Sequence, residues 1–315
     1  MTRVGNLLPR TLADLLPDGI TARRANWIEV ARIDVAGAHR SSLLWGLCGL
    51  FSVSSLMYLS YLVFIVAPEY DGPFRIAVMA TSRITQWLVP LIGLVVGATA
   101  VVGERETGSL RVLLGLPTSR RDVVAGKLLG RMLVCSALLL IGLTLVGAGV
   151  WYLFVGFDLW AYAVFAVLTL LFGSTFAGIG VGLSALFRSH ARALGAAAGV
   201  YALVTFVWHV IPAGVFYYLN GQYPENVPGP WDPPAWYVFL GNVNPAHAYF
   251  VFIAEWVPGV DAIHTNPASR EYWAYFSGDA GPFYVQPEFL LVVMVLWVLV
   301  AVLFGGWRFG RSDLG

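Results

Sequence analysis

Long uncharged stretches recur along the chain and divide it into segments of membrane length. Each of six such stretches contains between 19 and 32 residues without a charge, and they lie between Arg40 and Glu69, Arg83 and Glu104, Arg131 and Asp158, Asp158 and Arg188, Arg192 and Glu225, and Glu288 and Arg308. A helix that rises 1.5 Å per residue needs about 20 apolar residues to cross a hydrocarbon core about 30 Å thick. The pattern therefore predicts six transmembrane helices, at about 43–66, 84–103, 132–155, 160–186, 193–216 and 288–307.

A shorter helix is predicted before the first span, within residues 24–42. Its charged residues fall largely on one side, and its apolar residues recur every three or four positions: Trp27, Ile28, Ala31, Val35 and Ala38. This periodicity predicts an amphipathic helix that lies at the inner membrane surface. An ordinary cytoplasmic helix is the alternative. Residues 1–23, which contain Pro9, Pro17 and Gly19, are interpreted as a poorly ordered leader.

Residues 217–287 separate the last two spans and are rich in Trp, Tyr, Pro and Gly. Because Trp and Tyr favour the membrane–water boundary, this outer segment is expected to lie against the outer leaflet. The uncharged run 233–254 within it resembles a seventh span, but it is interrupted by Gly241, Asn242, Asn244, Pro245 and His247. We predict short re-entrant or interfacial helices there, because broken backbone at membrane depth requires shielding by protein or water.

The composition excludes a water-soluble fold. Hydrophobic residues make up 58% of the 315 residues and charged residues only 12%, against roughly 25% charged in soluble domains. The first apolar run begins near residue 43, behind a polar leader, so no cleavable signal peptide is predicted. Cys48 and Cys135 fall inside predicted spans without disulfide or zinc-site spacing, and we interpret them as small apolar core residues.

The basic residues are distributed unequally between the two sides of the predicted bundle. Sixteen Lys and Arg residues lie on the side that carries both termini, whereas three, Arg75, Arg83 and Arg270, lie on the other side. Basic residues are retained on the cytoplasmic side of a membrane. The chain is therefore predicted to be a multi-pass protein of the cell membrane, surrounded by lipid, with both termini cytoplasmic and without a nucleic-acid partner.

Pairs of glycines separated by four positions lie inside three of the predicted spans. The pairs are Gly93 and Gly97, Gly178 and Gly182, and Gly195 and Gly199. In lipid, small residues allow helix backbones to approach closely. These faces predict tight helix packing, either within the bundle or against a second subunit.

The cytoplasmic loop between the second and third spans, residues 104–131, carries the most informative pattern. Its first part can form a helix with an apolar side, which a Gly-Leu-Pro sequence then ends. Ser119, with Asp122 three residues later, forms a capping-box pattern for a second helix that continues into the third span. The loop is thus predicted to be a helix, a turn and a second helix, which project Arg120 and Arg121 into the cytoplasm.

The loop also contains an ordered series of residues before the third span: Glu106, Gly108, Ser109, Leu110, Leu113, Leu114, Pro117, Ser119, Arg120, Gly126 and Lys127. This series resembles the corresponding loop in the permease subunits of type 2 ABC transporters. That family commonly shows an acidic residue, then Glu-x-Gly-(Ser/Thr)-Leu, a Leu-Leu pair, a Pro-x-Ser-Arg turn and a Gly-Lys. The resemblance covers about residues 24–309 and includes an Asn-Pro pair in the outer loop, Asn244 and Pro245.

The resemblance implies that the loop is a coupling helix that docks on a separate ATP-binding-cassette ATPase subunit. The candidate partner-binding residues are Glu104, Glu106, Gly108, Leu113, Leu114, Pro117, Ser119, Arg120 and Arg121. Glu104, Arg120 and Arg121 are expected to form ion pairs at that interface, and the leucines to supply apolar contacts. The alternative is that the basic residues only reflect the cytoplasmic bias in positive charge.

The predicted fold is therefore all-α. It has six transmembrane helices, an N-terminal amphipathic helix, a cytoplasmic coupling helix and interrupted outer helices between spans five and six. The chain divides into a leader (1–23), an amphipathic helix (24–42), a permease domain (43–309, including the coupling loop 104–131 and the outer loop 217–287) and a cytoplasmic tail (310–315).

The sequence contains no phosphate-binding loop for ATP. Such a loop requires Gly-x4-Gly-Lys-(Ser/Thr), and the only Gly-Lys pair, Gly126 and Lys127, is followed by Leu128 and lacks the first Gly. We expect no catalytic residue, metal or cofactor in this chain, with ATP bound and hydrolysed by the partner subunit. One six-helix half per chain also predicts a permease homodimer or heterodimer. The spans contain few ionisable groups, which favours export of a hydrophobic or amphipathic substrate.

Three other functions are alternatives. An intramembrane serine enzyme would need a Gly-x-Ser-x-Gly-like sequence with a membrane histidine, and the glycines around Ser174 depart from that spacing, while His209 is the only well-embedded histidine. Metal handling could involve His247 and His264 in the outer segment, which are 17 residues apart and have no Cys or Met cluster around them. A scaffold or pore without ATP coupling is the third alternative. Association with an ATP-binding-cassette ATPase distinguishes all three from a permease.

Overall fold

The computed structural model describes residues 21–38, 41–66, 74–106, 119–223, 234–256 and 282–311. The regular elements within those ranges are the helices α1 (Thr21–Ala38), α2 (Ser42–Tyr61), α3 (Phe74–Ala98), α4 (Val102–Glu106), α5 (Arg120–Leu153), α6 (Leu159–Leu186), α7 (His190–Ala202), α8 (Val210–Asn220), α9 (Ala235–Asn242), α10 (Pro245–Trp256) and α11 (Pro287–Arg311). π-Helical turns cover Leu62–Val66 and Leu203–Val207, and a 3-10 turn covers Phe283–Val285.

Six segments of the described chain are helices long and apolar enough to cross a bilayer: Ser42–Ile65, Phe74–Glu106, Arg120–Leu153, Leu159–Leu186, His190–Val207 and Glu288–Arg311. They confirm the predicted all-α fold with six spans. Helix α3 begins at Phe74 rather than near residue 84, and α5 begins at Arg120 rather than near residue 132. An uncharged run marks only the part of a helix that lipid can surround, whereas backbone hydrogen bonding continues into the polar region.

Helix α6 is the centre of the bundle and packs against α3, α5 and α11. Its contact with α3 is made by backbone atoms, because a Cβ placed on Gly180 would lie 2.8 Å from the carbonyl oxygen of Leu94, and one on Gly93 would lie 2.8 Å from that of Gly173. Gly182 faces α11 in the same way. Two of the three predicted glycine faces therefore pack inside the bundle.

The third glycine pair lies on an open face of α7. A Cβ on Gly195 or Gly199 would have no heavy atom within 4 Å outside its own helix backbone and sequence neighbours. These glycines serve no close packing among the described residues.

The outer segment contains the predicted interruption between two short helices. Helix α9 ends at Asn242 and α10 begins at Pro245, and both asparagines of the break are fully buried. The side-chain amide of Asn242 donates to the carbonyl oxygen of Tyr284 at 2.8 Å, and that of Asn244 donates to the carbonyl oxygen of Val204 at 2.8 Å. At the break itself, the indole of Trp297 donates to the carbonyl oxygen of Val243 at 2.9 Å, and the amide of Ala246 donates to Asn244 Oδ1 at 2.9 Å. Protein groups thus satisfy backbone groups of the break, as membrane burial requires. Its depth in the membrane stays a prediction.

Helix α1 lies against α5, and its buried face differs from the predicted apolar face. Val30, Ala31 and Asp34 are buried, whereas Ile28 and Val35 are exposed. The interfacial location of α1 and the division into domains stay predictions. Residues 1–20 of the leader, residues 312–315 of the tail and parts of the outer loop (224–233 and 257–281) lie outside the described residues.

Candidate functional site

Four helix ends meet at one end of the bundle around a small apolar cluster, which we call the basal cluster. It consists of Val101 beside α4, Val123 and Val124 of α5, Ala185 of α6 and Phe309 of α11, all of them buried. Basic residues surround it, so we call this the basic end. The helices that precede and follow residues 107–118 of the predicted coupling loop, α4 and α5, both begin from this cluster.

The joint between α3 and α4 is held by one hydroxyl group of α6. The chain leaves α3 in a turn, and the amides of Val101 and Val102 donate to Ser184 Oγ at 2.9 and 3.0 Å. Ser184 is fully buried. Backbone amides at a helix break need acceptors when water is excluded, and this oxygen supplies them. The position of α4 is therefore set by α6.

Helix α5 begins with the predicted capping box. The amide of Asp122 donates to Ser119 Oγ at 3.2 Å, and the amide of Ser119 donates to the Asp122 carboxylate at 3.0 Å. This reciprocal pair satisfies two amides at the start of the helix. The sequence prediction for this helix start is confirmed, and α5 begins directly after residues 107–118 of the coupling loop.

Arg120 is directed to the end of α11. Its Nη1 donates to the carbonyl oxygens of Phe309 at 2.9 Å and Gly310 at 3.2 Å, and its guanidinium lies 5.7 Å from the centre of the Phe309 ring. The last carbonyls of a helix lack partners in the helix and carry its negative dipole end, so a cation is favourable there. Both arginines were predicted to project away from the bundle. Arg120 instead folds back onto α11, whereas Arg121 is exposed.

A buried cluster of charges, which we call the ion cluster, joins α1, α4 and α5. Lys127 Nζ contacts Asp34 Oδ1 at 2.6 Å and also forms an ion pair with Glu104. Arg131 Nε lies 2.8 Å from Asp34 Oδ2. Two cations and two carboxylates therefore balance within the protein, which is the condition for burying charge at low cost. Glu104, predicted to pair with the ATPase, forms a pair within this chain.

Close backbone packing holds α1 against the ion cluster. A Cβ on Gly126 would lie 2.5 Å from the carbonyl oxygen of Trp27 and 2.6 Å from Val30 Cβ, and one on Gly130 would lie 3.0 Å from Asp34. Glycine at both positions of α5 allows α1 to bring its carboxylate to Lys127.

Helix α4 is also tied to the start of α7. Glu106 Oε1 accepts a hydrogen bond from the His190 amide at 2.7 Å, and Arg105 Nη1 donates to the Phe187 carbonyl oxygen at 3.3 Å. The side chain of Ser189, at the cap position of α7, makes no capping bond, so the carboxylate of Glu106 takes that role. Arg105 and Glu106 thus join α4 to the connection between α6 and α7.

The structure brings five of the nine predicted partner-binding residues to the basic end: Glu104, Glu106, Ser119, Arg120 and Arg121. The other four, Gly108, Leu113, Leu114 and Pro117, lie outside the described residues. Sequence reasoning missed Asp34 and Arg131. One sequence pattern could have indicated them. Lys127 and Arg131 are four residues apart and therefore lie on one helix face. If that face is buried, the two cations require an acidic partner such as Asp34.

The metal-handling alternative requires ligands at the outer histidines, His247 and His264. No group of three or more His, Cys, Asp or Glu side chains suited to a metal ion occurs in the described parts of the chain. His247 is described and packs beside Gly241, whereas His264 lies outside the described residues.

Comparisons with known proteins agree with this architecture. Residues 28–314 match the ABC-2 family transporter protein model. The chain is 30% identical over 161 residues to the probable ABC transporter permease protein NosY of Stutzerimonas stutzeri, which covers 50% of this chain and 58% of that protein. It is also 30% identical over 128 residues to the probable ABC transporter permease protein NosY of Pseudomonas aeruginosa, which covers 39% of this chain and 46% of that protein. The chain thus spans about half the length of these curated relatives. Since the family model matches most of its length, the chain belongs to the ABC-2 transporter family.

Proposed function

We propose that this chain is the membrane-spanning permease subunit of an ATP-binding-cassette transporter that uses a separate ATPase subunit. The observation that carries the proposal is the anchoring of both arms of the coupling loop, at Ser184 on one side and at the ion cluster on the other. Family membership supports it independently. Two arms anchored in this way can act as levers between a docked partner and the spans.

The coupling mechanism follows from which helix ends share contacts. Residues 107–118 and Arg121 provide the docking surface for the ATPase in this proposal. A displacement of α5 by the docked partner is passed to α1 and α4 through Lys127, and to α11 through Arg120. ATP-driven movement of the partner thereby changes the relative positions of several spans at once, which can alternate access to a substrate pathway.

The membrane orientation in this proposal follows from charge. The basic end faces the cytoplasm, because basic residues are retained on that side, and both termini lie there. The substrate is exported and is hydrophobic or amphipathic, because the spans are poor in ionisable groups. A second permease chain completes the pathway, and the open face at Gly195 and Gly199 is available for it.

Co-purification with the ATPase tests the proposal. The full chain is expressed with an ATP-binding-cassette ATPase encoded beside it, and Arg121→Glu is compared with Arg32→Glu, since both arginines are exposed but Arg32 lies on α1. We expect Arg121→Glu to weaken ATPase association on the order of tenfold, because charge reversal replaces attraction by repulsion. The proposal is wrong if no ATPase binds the wild-type chain, or if both variants retain it equally.

A further inference from the structure

Four arginines from three parts of the chain line one pocket at the basic end. Arg105 of α4, Arg188 of the α6–α7 connection, and Arg308 and Arg311 of α11 line a cavity of about 110 Å³, together with Trp307. We call it the arginine pocket. Its volume corresponds to a few water molecules at about 30 Å³ each, which suits a phosphate group and is too small for a complete lipid headgroup.

The described lining of the arginine pocket is strongly basic, and none of its residues is acidic. Of the two acidic residues of α4, Glu104 forms an ion pair with Lys127 outside the pocket. Four guanidinium groups at close range repel one another, so an anion between them lowers the electrostatic energy of the folded chain.

Two of the four arginines are oriented before any ligand arrives. The guanidinium of Arg105 lies 5.1 Å from the centre of the Phe309 ring, and that of Arg311 lies 4.4 Å from the centre of the Trp307 ring. Arg105 also donates to the Phe187 carbonyl oxygen. Cation–π contacts and hydrogen bonds of this kind reduce the side-chain freedom that anion binding would otherwise remove.

An exposed apolar stripe runs from the pocket along the transmembrane part of α11. Trp307 is 51% exposed, and Val300, Leu303 and Phe304 are exposed on the same helix face, since they precede it by seven, four and three positions. Phe304 and Trp307 stack with ring centres 5.9 Å apart. A charged pocket that borders an apolar stripe at the end of a span has the two-part chemistry of a phospholipid.

We propose that the arginine pocket binds the phosphate group of an anionic phospholipid, with the acyl chains lying along the exposed stripe of α11. The inference requires only that the chain spans a membrane, and it is independent of the proposed transport function. Bound lipid offsets part of the positive charge of the four arginines and fixes the end of α11 beside the basal cluster. A soluble phosphate would make the pocket contacts but would leave the stripe without a ligand.

Lipid retention by the purified full chain tests this proposal. Native mass spectrometry measures binding of phosphatidylglycerol, with phosphatidylcholine as the uncharged reference, to the double variant Arg188→Gln/Arg308→Gln. The matched control is Arg32→Gln/Arg192→Gln, which removes two exposed arginines outside the pocket. We expect the pocket variant to bind phosphatidylglycerol at least tenfold more weakly than the control, because each basic residue contributes about fivefold to anionic-lipid binding. Equal thermal stability of the two variants in phosphatidylcholine shows that both are folded.

Four outcomes overturn the proposal. Equal phosphatidylglycerol binding by the two double variants places the lipid elsewhere. Competition by free inorganic phosphate at the same concentration as the lipid makes the ligand a soluble anion. Loss of ATPase association by the pocket variant, with unchanged lipid binding, assigns the pocket to a protein partner. Tenfold tighter lipid binding by Asp313→Asn would mean that the carboxylate of Asp313 competes with the lipid, and it assigns the arginine pocket to the chain's own tail.

Discussion

The ammonium group of Lys127 donates to the carboxylate of Asp34 at 2.6 Å, although the two residues are 93 positions apart in the chain. Their side chains are only 4% and 2% exposed. Because Lys127 also pairs with Glu104, one side chain joins the helix before the first span to both arms of the coupling loop. The N-terminal helix is thereby part of the candidate coupling site.

Removing the cation at position 127 is expected to destabilise the chain. Lys127→Met leaves the half-buried Glu104 and part of the buried Asp34 charge without compensation, and breaking a buried pair costs about 3–5 kcal/mol. The melting temperature in detergent, followed by fluorescence-detected size exclusion, should fall clearly below that of Arg32→Met, which removes an exposed cation. Adding Asp34→Asn to Lys127→Met should cost less than the sum of the two single changes, because the residues share one network. Strict additivity would contradict the ion cluster.

Ser184→Ala is expected to loosen the joint between α3 and α4. The change leaves two buried amides, of Val101 and Val102, without their acceptor, and an unsatisfied buried amide costs about 1–3 kcal/mol. Hydrogen exchange at these two amides should accelerate while exchange in the centre of α6 stays slow. The control is Ser54→Ala, whose hydroxyl donates to a carbonyl of its own helix. If exchange accelerates equally in both variants, the joint is not held by this hydroxyl.

Substitution by alanine is expected to have opposite effects on stability at a packed glycine, Gly180, and at an open one, Gly199. Gly180→Ala places a Cβ against α3 backbone, so we expect a cost of about 1–3 kcal/mol or more and little monodisperse protein. Gly199→Ala places its Cβ in open space and should leave the melting temperature of the chain equal or slightly higher, because alanine is the better helix former. If the open face contacts a second permease, Gly199→Leu should lower the cross-linked dimer fraction without destabilising the monomer. A dimer fraction that stays constant assigns the dimer contact to another face.

Arg120 and Arg121 are neighbours in sequence with separable effects. Arg120→Gln removes charge-assisted hydrogen bonds to two carbonyls of α11 and should lower stability by about 1.5–3 kcal/mol. Arg121→Gln changes an exposed side chain and should leave the free energy of unfolding within about 0.5 kcal/mol of the wild-type value. Its effect should instead be seen in ATPase co-purification. Equal melting temperatures for the two variants would contradict the placement of Arg120.

Local sequence patterns predicted the elements of this fold because they depend on one helix at a time. The uncharged runs marked all six spans, and Ser119 with Asp122 marked the start of α5. The glycine pairs predicted close approach but not its partner. Whether Gly93 or Gly195 meets another helix depends on the arrangement of the bundle.

The candidate site was predicted less completely because its contacts join distant parts of the chain. Arg120 binds carbonyls 189 and 190 positions later, and no local pattern specifies that partner. The buried face of α1 was predicted from apolar periodicity, whereas the face that packs against α5 in the structure includes the acidic residue Asp34. Two cations of α5 make that acidic residue favourable in a buried position.

The shared acceptor at Ser184 has a consequence for how the α3–α4 joint responds to force. Both amides donate to one oxygen, so a shift of about 1 Å in that atom weakens both hydrogen bonds together. The two bonds are therefore lost together rather than one after the other. In the proposed transporter, a movement of α6 that displaced this oxygen would release both amides of the α3–α4 joint at once.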